Sequence, residues 1–404
     1  MSHPPHHRRR LHFGRHRAVL LSGALVVGVA AVVVPTSVGA SKPATDLVSS
    51  SSSVGGGNGT PGSFTTNLKG VCPSNITIQT NWWPEPDAGG LYQLIAPSQG
   101  KADIDANSYS GPLGHTGVTL TLLAGGPAVG YQTVSSQLYA NPNILLGQVQ
   151  TDESIQLSAT QPTTAVFASY EWTPQVFFWG NPKWNFKTVA DIGKSGAQVL
   201  AYTATYLSVF EKKGWLKASQ VNTSYQGNPS EFVADSGKVV SQGYIDDEPY
   251  IYQHDLSSWD KPVKYLWVGK SYPVYANSLV IRSGALQQNS ACLTKLVPLL
   301  QQAEIDYAHN PTATNKVIYN YASQLQGGAQ LSLAGSAAAV KTLLSHGIIG
   351  NGSDGVFASF NSTRLTNLIK TLGPIFASEQ KPIKTGLSAS DLATNQFLDK
   401  NLHL

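Results

Sequence analysis

Cysteine is nearly missing from this chain: Cys72 and Cys292 are the only two in 404 residues. That excludes a cysteine-rich metal site and leaves one disulfide or two buried thiols. Charge is scarce as well, at 12% of residues against 41% hydrophobic. The balance is that of a globular chain, not a disordered one. No acid precedes Asp46, whereas Arg8, Arg9, Arg10, Arg15 and Arg17 crowd the N-terminus. Without those five, 22 basic residues face 23 acidic ones, so the formal charge of +4 belongs to the leader. The remainder carries no electrostatic footprint for nucleic acid.

Catalytic motifs are missing too. His115, His254, His309, His346 and His403 are scattered, and neither HExxH nor G-x-S-x-G occurs. Ser98–Lys101 fits S-x-x-K and Lys384–Gly386 fits K-T-G. However, SQGK runs toward a helix-ending glycine, and Pro382 stands just before KTG, so neither has its required context. No cofactor motif is found, and no enzyme activity is expected.

What is present begins with a leader. The arginines precede an apolar run, Ala18–Val34, and then PTSVGA. A basic region, an apolar region and a small-residue site make a secretory signal over residues 1–40, with cleavage after Ala40. An uncleaved membrane anchor is the alternative. Residues 41–71 read as a Ser/Gly-rich linker, and the folded body is expected to start near Cys72. The protein is therefore expected outside the cytoplasm.

From Cys72 onward, strand-like and helix-like segments alternate. ITIQTNW, GVTLTLLAG, NILLGQVQT and TTAVFASYEW read as strands, with PAVGYQTVSSQLY and DESIQLSAT as helices. The rhythm restarts at FKTVADIGKSG, and the chain beyond Ala291 is mostly helical. This predicts an α/β fold of two lobes built on parallel sheets, with a helical C-terminal region. Residues 72–172 and 272–404 form lobe I, and 173–271 lobe II. Two crossings between lobes suit a hinged clamp, with ligands at the carboxyl ends of strands.

NWWPEPDAGGLY, Asn81 to Tyr92, follows a predicted strand. Its aromatic faces, acceptors and rigid turn residues are what a small-molecule pocket requires. Trp82 or Trp83 would stack on a flat ring, Glu85 or Asp87 would accept from nitrogen, and Tyr92 adds a hydroxyl. The AGGP loop brings Gly125, Gly126 and Pro127 to a strand end, without the lysine of a phosphate-binding loop. Asp152 in TDES is expected as an N-cap or a ligand contact. In lobe II, Tyr202, Thr203 and Thr205 gather at a helix start. Asp246, Asp247 and Glu248 follow a strand and would face the first lobe's acids, which suits a cationic or amine-bearing ligand.

The stretch NWWPEPDAGGLYQLI resembles the N-terminal motif of the thiamine-precursor-binding, pyrimidine-synthase-like group of ABC-transporter substrate-binding proteins. The resemblance extends through AGGP, TDES, FKTVADIGKSG and EFVADSGKVVSQGYIDDEPYIY, from Asn75 to about Leu325. It implies a type II periplasmic-binding fold and delivery of a solute to a membrane permease driven by an ATPase, the protein acting as a monomer. It maps Trp82, Glu85, Tyr92 and the AGGP loop to one side of the cleft, and Thr203, Thr205 and Glu248 to the other. The chain departs from the group in an insertion-like segment, QGKADIDANSYSGPLGHTG, and lacks the cysteine-rich motif of the eukaryotic pyrimidine synthases. An enzyme on the same fold acting on a pyrimidine-like substrate, or a sensor without a permease, are the alternatives.

Overall fold

The computed structural model describes residues 57–404 except 203, 226 and 328–330. The leader and the first part of the spacer lie outside the described residues. Among the described residues, no helix is long and apolar enough to cross a membrane.

Among the described residues, twelve strands form two mixed sheets. Their ranges are β1 Asn75–Gln79, β2 Lys101–Asp103, β3 Ser108–Pro112, β4 Thr119–Leu123, β5 Ile144–Val149 and β6 Thr163–Phe167. They continue as β7 Gln175–Trp179, β8 Val199–Leu200, β9 Val221–Asn222, β10 Val240–Tyr244, β11 Lys264–Trp267 and β12 Ser278–Arg282. The first sheet runs β2-β3-β4-β1-β5-β12-β6 and the second β11-β7-β10-β8-β9. Strand β1 pairs in parallel with β4 and β5 at the centre of the first sheet. It is buried at four of its five positions, as a central strand covered on both faces must be.

The sheets are not purely parallel, contrary to the strand–helix rhythm of the sequence. Strand β12 returns from the second sheet and enters between β5 and β6 antiparallel to both. Strand β7 pairs antiparallel with β10 and β11. The insertion-like segment adds the hairpin β2–β3 to the edge at β4.

The start of the folded body also differs from expectation. Residues 57–71 are not a spacer. Phe64 and Leu68 are fully buried, the Gly62 amide donates to Gln93 O (2.9 Å), and the His115 amide donates to Phe64 O (2.7 Å). Two buried apolar anchors in a polar tract, together with these backbone bonds, tie it to the folded body. Cys72 is bonded to Cys292 with an S–S distance of 1.99 Å, tying this segment to the helix Ser290–His309.

Two crossings join the sheets, one between β6 and β7 and one between β11 and β12. They lie side by side, the Tyr170 amide donating to Ala276 O (3.3 Å). Arg364, on the C-terminal helix Ser362–Ser378, grips both. Its Nε donates to Pro273 O (2.6 Å), and its terminal nitrogens to Glu171 Oε1 (2.7 Å), the Glu171 carbonyl and Val274 O (3.1 Å). The guanidinium lies over the rings of Trp172 (4.0 Å) and Tyr275 (3.8 Å). A planar five-donor fork suits this task; a lysine could not meet both strands. Farther along the same helix, Leu368, Leu372, Ile375 and Phe376 join the second sheet's apolar cluster. Arg364→Met is expected to cost about 3 kcal/mol in urea unfolding, because Glu171 would remain buried without its partner. Adding Glu171→Gln should recover part of that loss; an additive loss would show the pair is uncoupled.

Candidate acidic cleft

The segment Asn81–Tyr92 leaves the carboxyl end of β1, and Ile245–Tyr252 leaves that of β10. The fold turns these ends toward each other, so Glu85 and Asp87 meet Asp246, Asp247 and Glu248. Burial raises all five carboxyls, and their neighbours' negative charges raise Glu85, Asp246 and Asp247 further. Asp87 is pushed up to about 6, Glu248 to about 7 and Asp246 to about 8, with Glu85 and Asp247 well above the usual carboxylate range. The three ion pairs among the described residues, at Arg364, Lys381 and Lys384, lie elsewhere.

Local structure holds each acid in place. Asp87 sits in the middle of a short helical turn at Pro86–Ala88 and accepts from Asn277 Nδ2 (2.8 Å). Asn277 in turn accepts from Asn81 Nδ2 (2.6 Å), so the second crossing is tied to the loop after β1. Asn277 has φ 51°, a left-handed conformation that asparagine tolerates better than most residues. Glu248 folds back to accept from the Tyr244 amide.

Two buried residues that the sequence reading missed complete the site. The helix Gly89–Gln93 packs on Ser290–His309 with Gly90 facing Glu304. A Cβ at Gly90 would stand 2.1 Å from Glu304 Oε2, which is why that position carries no side chain. Burial and the charge of Asp87 raise Glu304 to about 8. Tyr170, on the first crossing, is fully buried and its hydroxyl has no hydrogen-bond partner. Asp87, Asp246 and Glu304 all act on that hydroxyl.

The remaining expected site residues divide. Trp82 is half-buried and 6.0 Å from the exposed ring of Tyr131. Trp83 is only 8% exposed and belongs to the core. Tyr92 is 2% exposed and packs on Tyr109 (5.5 Å), so its ring lies beneath the loop. The Gly125 amide donates to Trp82 O (2.9 Å), and a Cβ at Gly126 (φ 55°) would strike the Trp82 ring at 2.4 Å. The AGGP loop, with Pro127 in its short turn, thus seats Trp82.

Asp152 is not an N-cap: Gln150 holds that position in the helix Thr151–Gln156. Its carboxylate instead accepts from the Tyr272 hydroxyl (2.6 Å) and bonds to Thr205, reaching from the first sheet to the second crossing and the second sheet's helix. Tyr202 is exposed, 5.8 Å from Tyr225. Thr203 lies outside the described residues.

An open depression of about 440 Å³ lies elsewhere, lined by Ser74, His115 and Thr119 among others. It sits at the amino ends of β1 and β4, the wrong edge for ligand binding in open α/β sheets.

No protein-family model matches the chain, and no curated protein matches it in sequence. Solved structures do align with it. The periplasmic aliphatic sulphonate binding protein SsuA from Escherichia coli is 12% identical with a TM-score of 0.50, over 82% of this chain and 94% of that one. The alkanesulfonate-binding protein SsuA from Xanthomonas axonopodis pv. citri, bound to MOPS, is 13% identical with a TM-score of 0.50, over 80% and 99%. Two facing sheets, two crossings and a helical C-terminal region are the features of the periplasmic-binding-protein fold, and this chain has that fold.

Proposed function

We propose that this protein is the exported solute-binding component of an ABC importer. It captures a small nitrogen-containing, aromatic molecule between lobe I (72–172 and 272–404) and lobe II (173–271) and hands it to a membrane permease driven by an ATPase. The observation that carries this reading is the meeting of two acidic strand-end loops, Glu85–Asp87 and Asp246–Glu248, across a fold with two crossings.

In this reading Trp82, beside Tyr131 and the AGGP loop, offers a flat face, and the carboxyls take the ligand's nitrogen. Tyr202 and Thr203 supply hydroxyls from lobe II, the expected Thr205 being taken up by Asp152 and Tyr272. The Asp152–Tyr272–Thr205 contact holds the lobes closed and breaks when they part. Ligand shifts the open–closed equilibrium by binding the closed form better. The two similar proteins are named for sulfonates. A sulfonate would meet carboxylates here, so the ligand differs in charge from theirs. The thiamine-precursor group named by the sequence motif fits better, because an aminopyrimidine is flat and bears amino nitrogen.

Thermal unfolding against aminopyrimidines, amines, sulfonates, amino acids and short sugars tests the reading. Ligand at about 100 times its dissociation constant adds about 2.7 kcal/mol. Stabilisation by one chemical class without turnover supports solute binding; none from any class rejects it. Trp82→Ala should weaken an aromatic ligand by about 1–3 kcal/mol in calorimetric titration, as loss of a stacking face does. Trp83→Ala should instead act mainly on stability, since its ring is in the core. Unchanged affinity in Trp82→Ala would remove the stacking role.

A further inference from the structure

Tyr131 is the most exposed large apolar side chain among the described residues, at 71% against 41% for the next. The sequence pattern puts it inside a helix, PAVGYQTVSSQLY, but that helix starts only at Val134. Tyr131 instead ends the turn that follows the AGGP loop. Its amide donates to Gly126 O (2.8 Å), the bond from the sixth residue to the first that closes a left-handed turn end. Gly130 takes the left-handed conformation such an end requires, at φ 61°. Tyr131 repeats it at φ 60°, where a bulky side chain is strained. Burial does not offset that strain, because most of the ring lies in solvent.

The turn aims the ring at Trp82. The two centroids are 6.0 Å apart with the planes at 54°, so the rings do not stack on each other and instead form a corner. Gly126, with φ 55° and no room for a side chain against the Trp82 ring, lines the base of this corner. Trp82 also begins the loop that carries Glu85 and Asp87. From the second sheet, Tyr202 follows β8 and is half-exposed. Burial, then Glu248 and Tyr131, raise its hydroxyl, in keeping with a Tyr131 ring that faces lobe II.

Resting on the solute-binding reading, we propose that Tyr131 contacts the ligand and selects for a flat aromatic ring. The ligand's ring enters the corner between Trp82 and Tyr131, stacked on one wall and edge-on to the other. The strained backbone is then held for binding and not for stability. Two tilted aromatic walls present a negative face and a positive edge, which an aromatic ring matches with its own edge and face. A saturated ring is thicker and has neither.

Calorimetric titration of wild type, Tyr131→Phe and Tyr131→Asn with 4-aminopyrimidine, benzylamine and cyclohexylmethylamine tests this, beside thermal unfolding of each ligand-free protein. Wild type is expected to bind benzylamine at least about fivefold tighter than cyclohexylmethylamine, and Tyr131→Asn to lose about tenfold for both aromatic compounds, as removal of a stacking face does. The preference between the two amines should shrink in the same variant. Tyr131→Phe keeps the ring and should keep the affinity. Asparagine tolerates the left-handed region, so Tyr131→Asn should melt at the wild-type temperature or roughly 1–3 °C above it. Unchanged aromatic affinity in Tyr131→Asn overturns the proposal, as does an equal loss in Tyr131→Phe, which would assign the effect to the hydroxyl. If wild type binds only non-aromatic members of the wider panel, the aromatic corner falls and solute binding stands. If wild type binds none of them, both readings fall.

Discussion

Replacing Cys72 and Cys292 together by alanine is expected to lower unfolding stability by about 5 kcal/mol in the chain-entropy description. The bond closes a loop with a sequence separation of 220, so the unfolded chain gains a large conformational freedom when it is lost. The native state loses little by comparison. Cys292 is 1% exposed and Cys72 9%, and alanine fills part of each place. Urea unfolding of the oxidised protein, the dithiothreitol-reduced protein and the double variant gives the measurement. The last two should agree, and both should fall well below the first. A loss under about 1 kcal/mol would show that unfolded-state entropy is not what the bond contributes. The bond also anchors the helix Ser290–His309, which carries Glu304 and Tyr307 behind the acidic loop. Reduction should therefore weaken ligand binding as well as stability.

The sequence carried some of this arrangement plainly and hid the rest. Alternation of strands and helices was legible because apolar periodicity survives any sheet topology. The direction of β12 was not, because pairing direction depends on where the chain has been, and the chain returns to the first sheet from the second. The hairpin β2–β3 read as an insertion because its short strands, KAD and SYSGP, show little apolar alternation. Phe64 and Leu68 are single apolar residues in a polar tract, too few for a periodic signal.

Within the cleft, the acids after β1 and β10 stood out because acids beside aromatics and prolines are unusual at strand ends. Glu304 did not, since a glutamate in a long helix ordinarily faces solvent. The paired glycines Gly89 and Gly90 were the available hint, because they require a close approach by some partner, although not by a nameable one. Asp152 looked like a cap by its position one residue into a strand-to-helix turn. The competing pull was tertiary: the Tyr272 hydroxyl and Thr205 take its carboxylate, and the N-cap position belongs to Gln150, whose side chain makes no capping bond.

Raising the pH from 5 to 8.5 is expected to lower the melting temperature of the ligand-free protein by roughly 5–10 °C. The carboxyls of the cleft hold protons in the folded state that the unfolded chain gives up. Asp246 is raised from 3.8 to about 8, Glu248 from 4.5 to about 7 and Asp87 from 3.8 to about 6, with burial the first cause in each. Between the unfolded and folded values the native state binds more protons than the unfolded one. Stability is then complete below about pH 4 and is lost as the pH climbs through about 6 to 8. One unit corresponds to about 1.4 kcal/mol, and because the groups titrate together the total is on the order of several kcal/mol rather than their sum. Glu171, raised to about 7, and Glu304, raised to about 8, act in the same direction, so wild type alone does not isolate the cleft. Asp246→Asn does: it should raise the melting temperature at pH 8 and flatten the slope, at the expense of binding, as acids held for function rather than stability would. Scanning calorimetry in buffers of matched ionic strength reads both effects. A melting temperature that is flat or rises over this range would mean that the carboxyls are solvated and ionised in the native state, and the cleft would lose its case as a trap for cations. A bound cation should reverse the trend, because it replaces the protons and stabilises most where they have left.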